Sequence, residues 1–143
     1  MRPPAFWDSS ALVPLCIVEP VTSRVQALYK RYQPVVWWGT SVEIAAAFAR
    51  LLRVKHLDIA NWNAAKLSAN KLSVQWAVIQ PSESLRTKAK QIVENYDLRA
   101  ADSFQLAAAL DWCDASPEGR IFFSADRRLR DAAQLCGFDC PKL

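Results

Sequence analysis

Asp8, Glu43, Asp102 and Asp126 each stand just past a short apolar run or at the start of a helical pattern. Gathered at one place, four carboxylates repel one another unless they are protonated or bridged by a cation. Hard carboxylate oxygens suit a divalent ion such as Mg²⁺ or Mn²⁺. An ion held in this way can polarise a phosphodiester and lower the pKa of a bound water. Each acid taken singly also has an ordinary structural role. Asp8 precedes Ser9-Ser10 and can shape a turn. Thr40-Ser41-Val42-Glu43 matches a capping box, in which Glu43 reaches back to the Thr40 backbone N–H. Asp102 opens a helix whose dipole favours a negative charge, and Asp126 can cap the helix that begins at Arg127. The separations of 35, 59 and 24 residues have no local explanation. They fit an α/β sheet whose strand C-terminal ends converge on one rim.

The elements that must position these acids can be read from apolar periodicity and turn residues. Ala5–Trp7, Val35–Trp38, Ala77–Gln80 and Ile121–Ser124 read as strands, and Phe138–Cys140 as a short last one. Between them, helical patterns cover Ala11–Val18, Val21–Tyr32, Ser41–Arg53, Asp58–Leu72, a stretch from the Ser82 cap to Tyr96, Ala101–Cys113, and Arg127–Cys136 with Gly137 as its C-cap. Strands that alternate with helices predict an α/β fold, a three-layer α/β/α sandwich around a central, mostly parallel sheet. The whole chain, residues 1–143, reads as one domain.

With 52% apolar and 22% charged residues, the composition excludes a disordered chain. No apolar run approaches the length of a membrane span, and the N-terminus lacks a signal-peptide layout, so a cytoplasmic protein is expected. Cys16, Cys113, Cys136 and Cys140 form no C-x-x-C pair, and the one histidine, His56, lies in a different segment. This spacing speaks against structural zinc, and free thiols are expected. The formal charge is +4. If four acids serve one pocket, 18 basic residues face 10 acidic ones, which suits a polyanionic ligand. Adjacent Trp37 and Trp38 should point to opposite faces of a strand and be core residues, while Trp62 and Trp76 are candidates for burial first, and otherwise for a partner interface or for stacking on a base.

Four segments carry a resemblance. They are Asp8-Ser9-Ser10-Ala11-Leu12-Val13 followed by Val18-Glu19-Pro20, Ser41-Val42-Glu43-Ile44 leading to Ala49-Arg50, Leu98 through Ala109 around Asp102, and Phe122-Phe123-Ser124-Ala125-Asp126-Arg127-Arg128-Leu129. In this order and spacing the sequence resembles the PIN-domain ribonucleases, specifically the VapC-type toxins of toxin–antitoxin pairs, over nearly its whole length. The resemblance implies a metal-dependent endoribonuclease that leaves 5′-phosphate and 3′-hydroxyl ends. It makes Asp8 and Asp102 direct ligands of Mg²⁺ or Mn²⁺. Glu43 and Asp126 act directly, through water, or on a second ion, and Ser10 and Ser124 are hydroxyls that support the site. It further implies an RNA substrate, a cognate antitoxin protein and a homodimer. Arg127, Arg128 and Arg130, at a helix start, are candidates for holding RNA phosphates, with a solvated face or a pair with Asp131 as the plainer reading. Pro14 departs from the family pattern, and residues His56–Gln80 match no motif. A non-catalytic PIN-like binding module, an RNA-processing nuclease outside a toxin pair, and a receiver-type acidic pocket are the competing readings. The last lacks the second acid it would need beside Asp8.

Overall fold

A computed structural model describes residues 1–143. Its strands are β1 (Pro4–Trp7), β2 (Gln33–Trp37), β3 (Ala77–Ile79) and β4 (Phe122–Phe123). The helices are α1 (Ser9–Leu12), α2 (Thr22–Arg31), α3 (Thr40–Arg53), α4 (Ile59–Ser73), α5 (Glu83–Asn95), α6 (Ala100–Trp112) and α7 (Arg127–Cys136). The four strands form one sheet in the order β3-β2-β1-β4, and every pairing is parallel.

Side-chain alternation divides the core between the two faces of this sheet. Phe6, Val35, Trp37 and Phe122 pack against α5, α6 and α7. Ala5, Trp7, Val36 and Phe123 pack against α1, α2, α3 and α4. The result is the expected three-layer sandwich. The chain steps from β1 outward to β2 and β3, then crosses back to β4 on the other side of β1. Right-handed crossovers running in opposite directions put their helices on opposite faces. They also leave a crevice beside the C-terminal end of β1, where the direction changes.

Several local expectations hold in detail. Ser82 accepts a hydrogen bond from the Leu85 backbone N–H at 3.0 Å and caps α5. Gly137 ends α7 in the left-handed region at φ 114°, where a side chain is strained. Other expectations change. The helix read over Ala11–Val18 is only α1, followed by a 3-10 turn at Val13–Leu15, because Pro14 brings no N–H to continue an α-helix. The Thr22 hydroxyl donates to the Pro14 carbonyl oxygen at 2.7 Å and folds the segment down onto α2. The strand read over Phe138–Cys140 reduces to a single parallel bridge between Ile121 and Asp139. Trp37 is core, but Trp38 is 58% exposed. It lies one residue past the end of β2, so strand alternation no longer governs where it points. All four cysteines are free, and no helix is long and apolar enough to cross a membrane.

Candidate active site

Asp8 leaves the end of β1, held there by its own backbone N–H on the Phe123 carbonyl oxygen at 3.0 Å. Its carboxylate is only 2% exposed, and no cation accompanies it. Its partners are three hydroxyls. Ser10 and Ser124 both donate to Oδ2, the latter at 2.9 Å, and Ser9 lies 3.3 Å from Oδ1. The two oxygens of Ser10 and Ser124 are 3.3 Å apart, and each also anchors the loop after β4. Ser10 accepts from the Ala125 N–H at 2.9 Å, and Ser124 from the Asp126 N–H at 3.0 Å. These two serines therefore tie the end of β1 to the end of β4. Burial pushes the Asp8 carboxyl above its ordinary range, and the hydroxyls pull the other way without cancelling it.

Glu43 reaches the same place from the first turn of α3. Ser9 Oγ is 3.0 Å from Glu43 Oε1, so its one proton is shared between Asp8 and Glu43. Gln105 Nε2, from the buried face of α6, donates to Glu43 Oε2 and to Thr40 Oγ1, each at 3.0 Å. This settles the capping-box reading of Glu43 against it. Gly39 is the N-cap of α3, and the Glu43 side chain turns to Ser9 and Gln105 instead of back along its own helix. Burial, and next the charge of Asp8, push the Glu43 carboxyl up to about 7.

Asp102 stands in the first turn of α6, and burial followed by the charges of Asp126 and Asp8 raises its carboxyl to about 6. Arg99, one turn earlier, offsets part of that rise. Asp126 does cap α7, accepting from the Leu129 N–H at 3.1 Å through Oδ1. The cap engages Oδ1 alone. The four predicted acids thus feel one another, with Asp8 and Glu43 joined through Ser9 and Asp102 next to Asp126.

The donor set has the chemistry a divalent ion needs. Its donors are hard oxygens, and none of the four acids has a basic ion-pair partner. Gln105 Oε1 beside Glu43 is buried without a donor. No three of the acids converge closely enough to enclose an ion by themselves. Mg²⁺ does not require that, because it keeps several waters and is usually held by one or two carboxylates plus substrate phosphate. On that standard the residues fit.

Beside Asp102 and Asp126 opens a cleft of about 490 Å³, also lined by Arg99, Arg127 and Arg128. Arg127 and Arg128 are exposed, and their contacts with Asp131 (3.9 Å) and Asp97 (3.4 Å) are surface pairs of little strength. Arg130 turns away from this cleft. Its guanidinium donates to the Ser124 carbonyl oxygen at 3.4 Å, so it braces the β4 loop. His56 is exposed in the turn after α3, outside the cluster. The sequence reading missed Ser9, Thr40, Gln105 and Arg99. Ser9 was visible within the Asp-Ser-Ser run, but a glutamine on an Ala-rich helix carries no local sign that it faces a carboxylate 62 residues away.

No protein-family model and no curated protein sequence matches this chain. Solved structures do. A Pyrobaculum aerophilum protein superposes with a TM-score of 0.67 at 19% identity, over 98% of this chain and 90% of that one. VapC20 of Mycobacterium tuberculosis, a sarcin–ricin-loop-cleaving toxin, gives 0.65 at 16% identity, over 90% and 94%. A toxin–antitoxin complex from Klebsiella pneumoniae gives 0.60 at 13% identity, over 85% and 86%. The chain has the PIN-like fold of the VapC-type toxins.

Proposed function

We propose that this protein is a Mg²⁺- or Mn²⁺-dependent endoribonuclease and the toxin of a toxin–antitoxin pair. The observation that carries this reading is the uncompensated pair of Asp8 and Glu43, joined by one serine proton at the C-terminal rim of a parallel sheet. Nothing in a purely structural role calls for two neighbouring carboxylates both pushed upward by burial, with Glu43 pushed further by the charge of Asp8. In this reading Asp8 and Asp102 are the direct ligands, and Glu43 and Asp126 complete the site directly or through water. The bound ion supplies a Lewis acid for the phosphodiester and an acidified water.

The chain's own residues do the positioning. Ser10 and Ser124 fix the Asp8 carboxylate in one orientation while linking β1 to β4. Gln105 and Ser9 do the same for Glu43. Arg127 and Arg128, with Arg99, hold phosphates of the strand beside the reacting one, aided by the amide dipoles at the start of α7. The fold shared with VapC20 and with the Klebsiella complex supports a toxin role, a cognate antitoxin and an RNA substrate. A homodimer working in the cytoplasm belongs to the same proposal. The test is cleavage of a panel of RNAs with Mg²⁺ or Mn²⁺ by the wild type and Asp8→Asn. Metal-dependent cleavage by the wild type alone, leaving 5′-phosphate ends, is expected. Equal cleavage by both, or none by either, refutes the nuclease. Light scattering that gives a monomer across micromolar concentrations refutes the dimer.

A further inference from the structure

On the side of the carboxylates opposite the arginine cleft, a groove of about 750 Å³ runs between the β2–α3 turn and the start of α5. Glu43 lines it, so it is continuous with the candidate active site. Its other walls are Trp37, Trp38, Val42, Pro81 and Phe104. Three aromatic rings here form a fixed ladder. Trp37 stacks on Phe104 with centroids 5.5 Å apart and planes 2° from parallel. Trp38 then stands edge-on to Trp37 at 6.2 Å and 70°. Gly39 makes this possible, because a Cβ there would lie 2.6 Å from the Trp37 indole nitrogen. The buried Trp37 thus braces the largely exposed Trp38 against the turn.

We propose that this groove is a base-binding subsite, in which an unpaired nucleobase of the RNA strand stacks on the Trp38 indole while the adjoining phosphate lies at the carboxylates. The inference rests on the nuclease reading and adds a determinant of which strands are cut. Charge favours a base over a phosphate here. Apart from Glu43, the charged side chains lining the groove are Glu83 and Arg86, which neutralise each other at 2.7 Å. The phosphate-binding chemistry lies across the acids, around Arg99, Arg127 and Arg128. A strand laid over the carboxylates would place its backbone toward the arginines and a base toward the aromatics. Paired bases have both faces covered by their neighbours, so the subsite selects single-stranded RNA. The braced indole loses little freedom when a base covers it, which favours a stacking contact.

The test uses the full chain with Mn²⁺ and a short, fluorescein-labelled single-stranded RNA whose cleavage site has been mapped with the wild type. Trp38→Ala is expected to lower kcat/KM about 5- to 150-fold, the span of one lost base–aromatic stack. Trp38→Phe should recover most of it. Removing the base next to the cleaved bond, as an abasic nucleotide, should cost the wild type a similar factor and Trp38→Ala nothing further. The subsite is overturned if Trp38→Ala cleaves like the wild type, or if the abasic penalty is equal in both, and the nuclease reading survives either result. Absence of metal-dependent cleavage together with absence of Trp38-dependent binding of the labelled RNA, read by anisotropy, overturns both. A change in molar mass of Trp38→Ala on light scattering assigns the groove to a protein contact and also overturns the subsite. A thermal melt confirms that each variant is folded.

Discussion

Replacing Glu43 by glutamine should make the metal-free protein more stable at pH 8, although it removes a residue of the candidate site. In the folded state burial and Asp8 hold this carboxyl near 7 against an ordinary value of 4.5. Folding therefore takes up a proton between those values. The stability that goes with the protonated form is fully present below pH 4.5 and is lost as pH rises through about 7. At roughly 1.4 kcal/mol per pH unit the full gap corresponds to about 3 kcal/mol. Glu43 is only half-buried, and water and salt screen it, which brings the expected gain to about 1–2 kcal/mol. In a domain of this size that is about 3–8 °C in Tm.

The substitution is well suited to isolating this effect because the local hydrogen bonds can be kept. In Glu43→Gln the side-chain oxygen can still accept from Gln105 Nε2, while the new amide donates to Ser9 Oγ, whose own proton then goes wholly to Asp8. The assay is a thermal melt in EDTA at pH 8 and at pH 4.5, repeated with millimolar Mn²⁺. Glu43→Gln should melt above the wild type at pH 8 and within a few tenths of a kcal/mol of it at pH 4.5, where Glu43 is already protonated. Mn²⁺ should raise the wild type more than the variant, since only binding to the folded state contributes. An unchanged Tm at pH 8, or the same gain at both pH values, would refute the claim that burial and the charge of Asp8 make the ionised Glu43 costly to fold.

Four further outcomes follow from the same geometry. Mn²⁺ affinity by calorimetry should rise from pH 5 to pH 8 with release of protons, because Asp102 near 6 and Glu43 near 7 must ionise to bind; a flat profile would remove them from the site. Ser124→Ala takes a donor from buried Asp8 and the acceptor from the Asp126 N–H, and should cost about 1–3 kcal/mol in a denaturant melt. Gln105→Met keeps the volume but frees Glu43, and should weaken Mn²⁺ roughly 10- to 100-fold with little loss of helicity by circular dichroism. Arg127→Ala with Arg128→Ala should lower single-stranded RNA affinity and reduce the slope of log K against log salt by about 1.4, whereas Arg130→Ala should destabilise the fold and leave that slope alone.

The parallel sheet and its helices were legible because each strand is a short apolar run and several helices carry their own caps. Asp58, Ser82, Asp126 and Gly137 all end helices as their residue types suggest. The sequence failed where neighbours in space, not in chain, decide the outcome. Thr40-Ser41-Val42-Glu43 has the letters of a capping box, yet Ser9 and Gln105 win the Glu43 carboxylate from the helix end. Trp38 looked like strand core, but β2 stops one residue earlier, and its exposure follows from the turn at Gly39. Arg127 and Arg130 share a helical face by spacing, but the cleft takes the adjacent pair Arg127 and Arg128, because Arg130 is drawn to the Ser124 carbonyl.

The choice of hydroxyls around Asp8 has a consequence for how fold and site depend on each other. A lysine or arginine in place of Ser10 or Ser124 would have neutralised the buried carboxylate outright and left nothing for a cation to do. Serines instead satisfy its lone pairs while leaving its charge unanswered, so burial still pushes the carboxyl upward. The same two serines hold β1 to β4 through Ala125 and Asp126. Strand pairing at the switch point and the electrostatic deficit at the rim therefore share their atoms. A ligand that supplied positive charge to Asp8 would tighten the link between the strands as well as fill the site. The Mn²⁺-dependent gain in Tm should accordingly shrink in Ser124→Ala even though serine itself binds no ion, and a full gain in that variant would show that the two functions of Asp8 are separable.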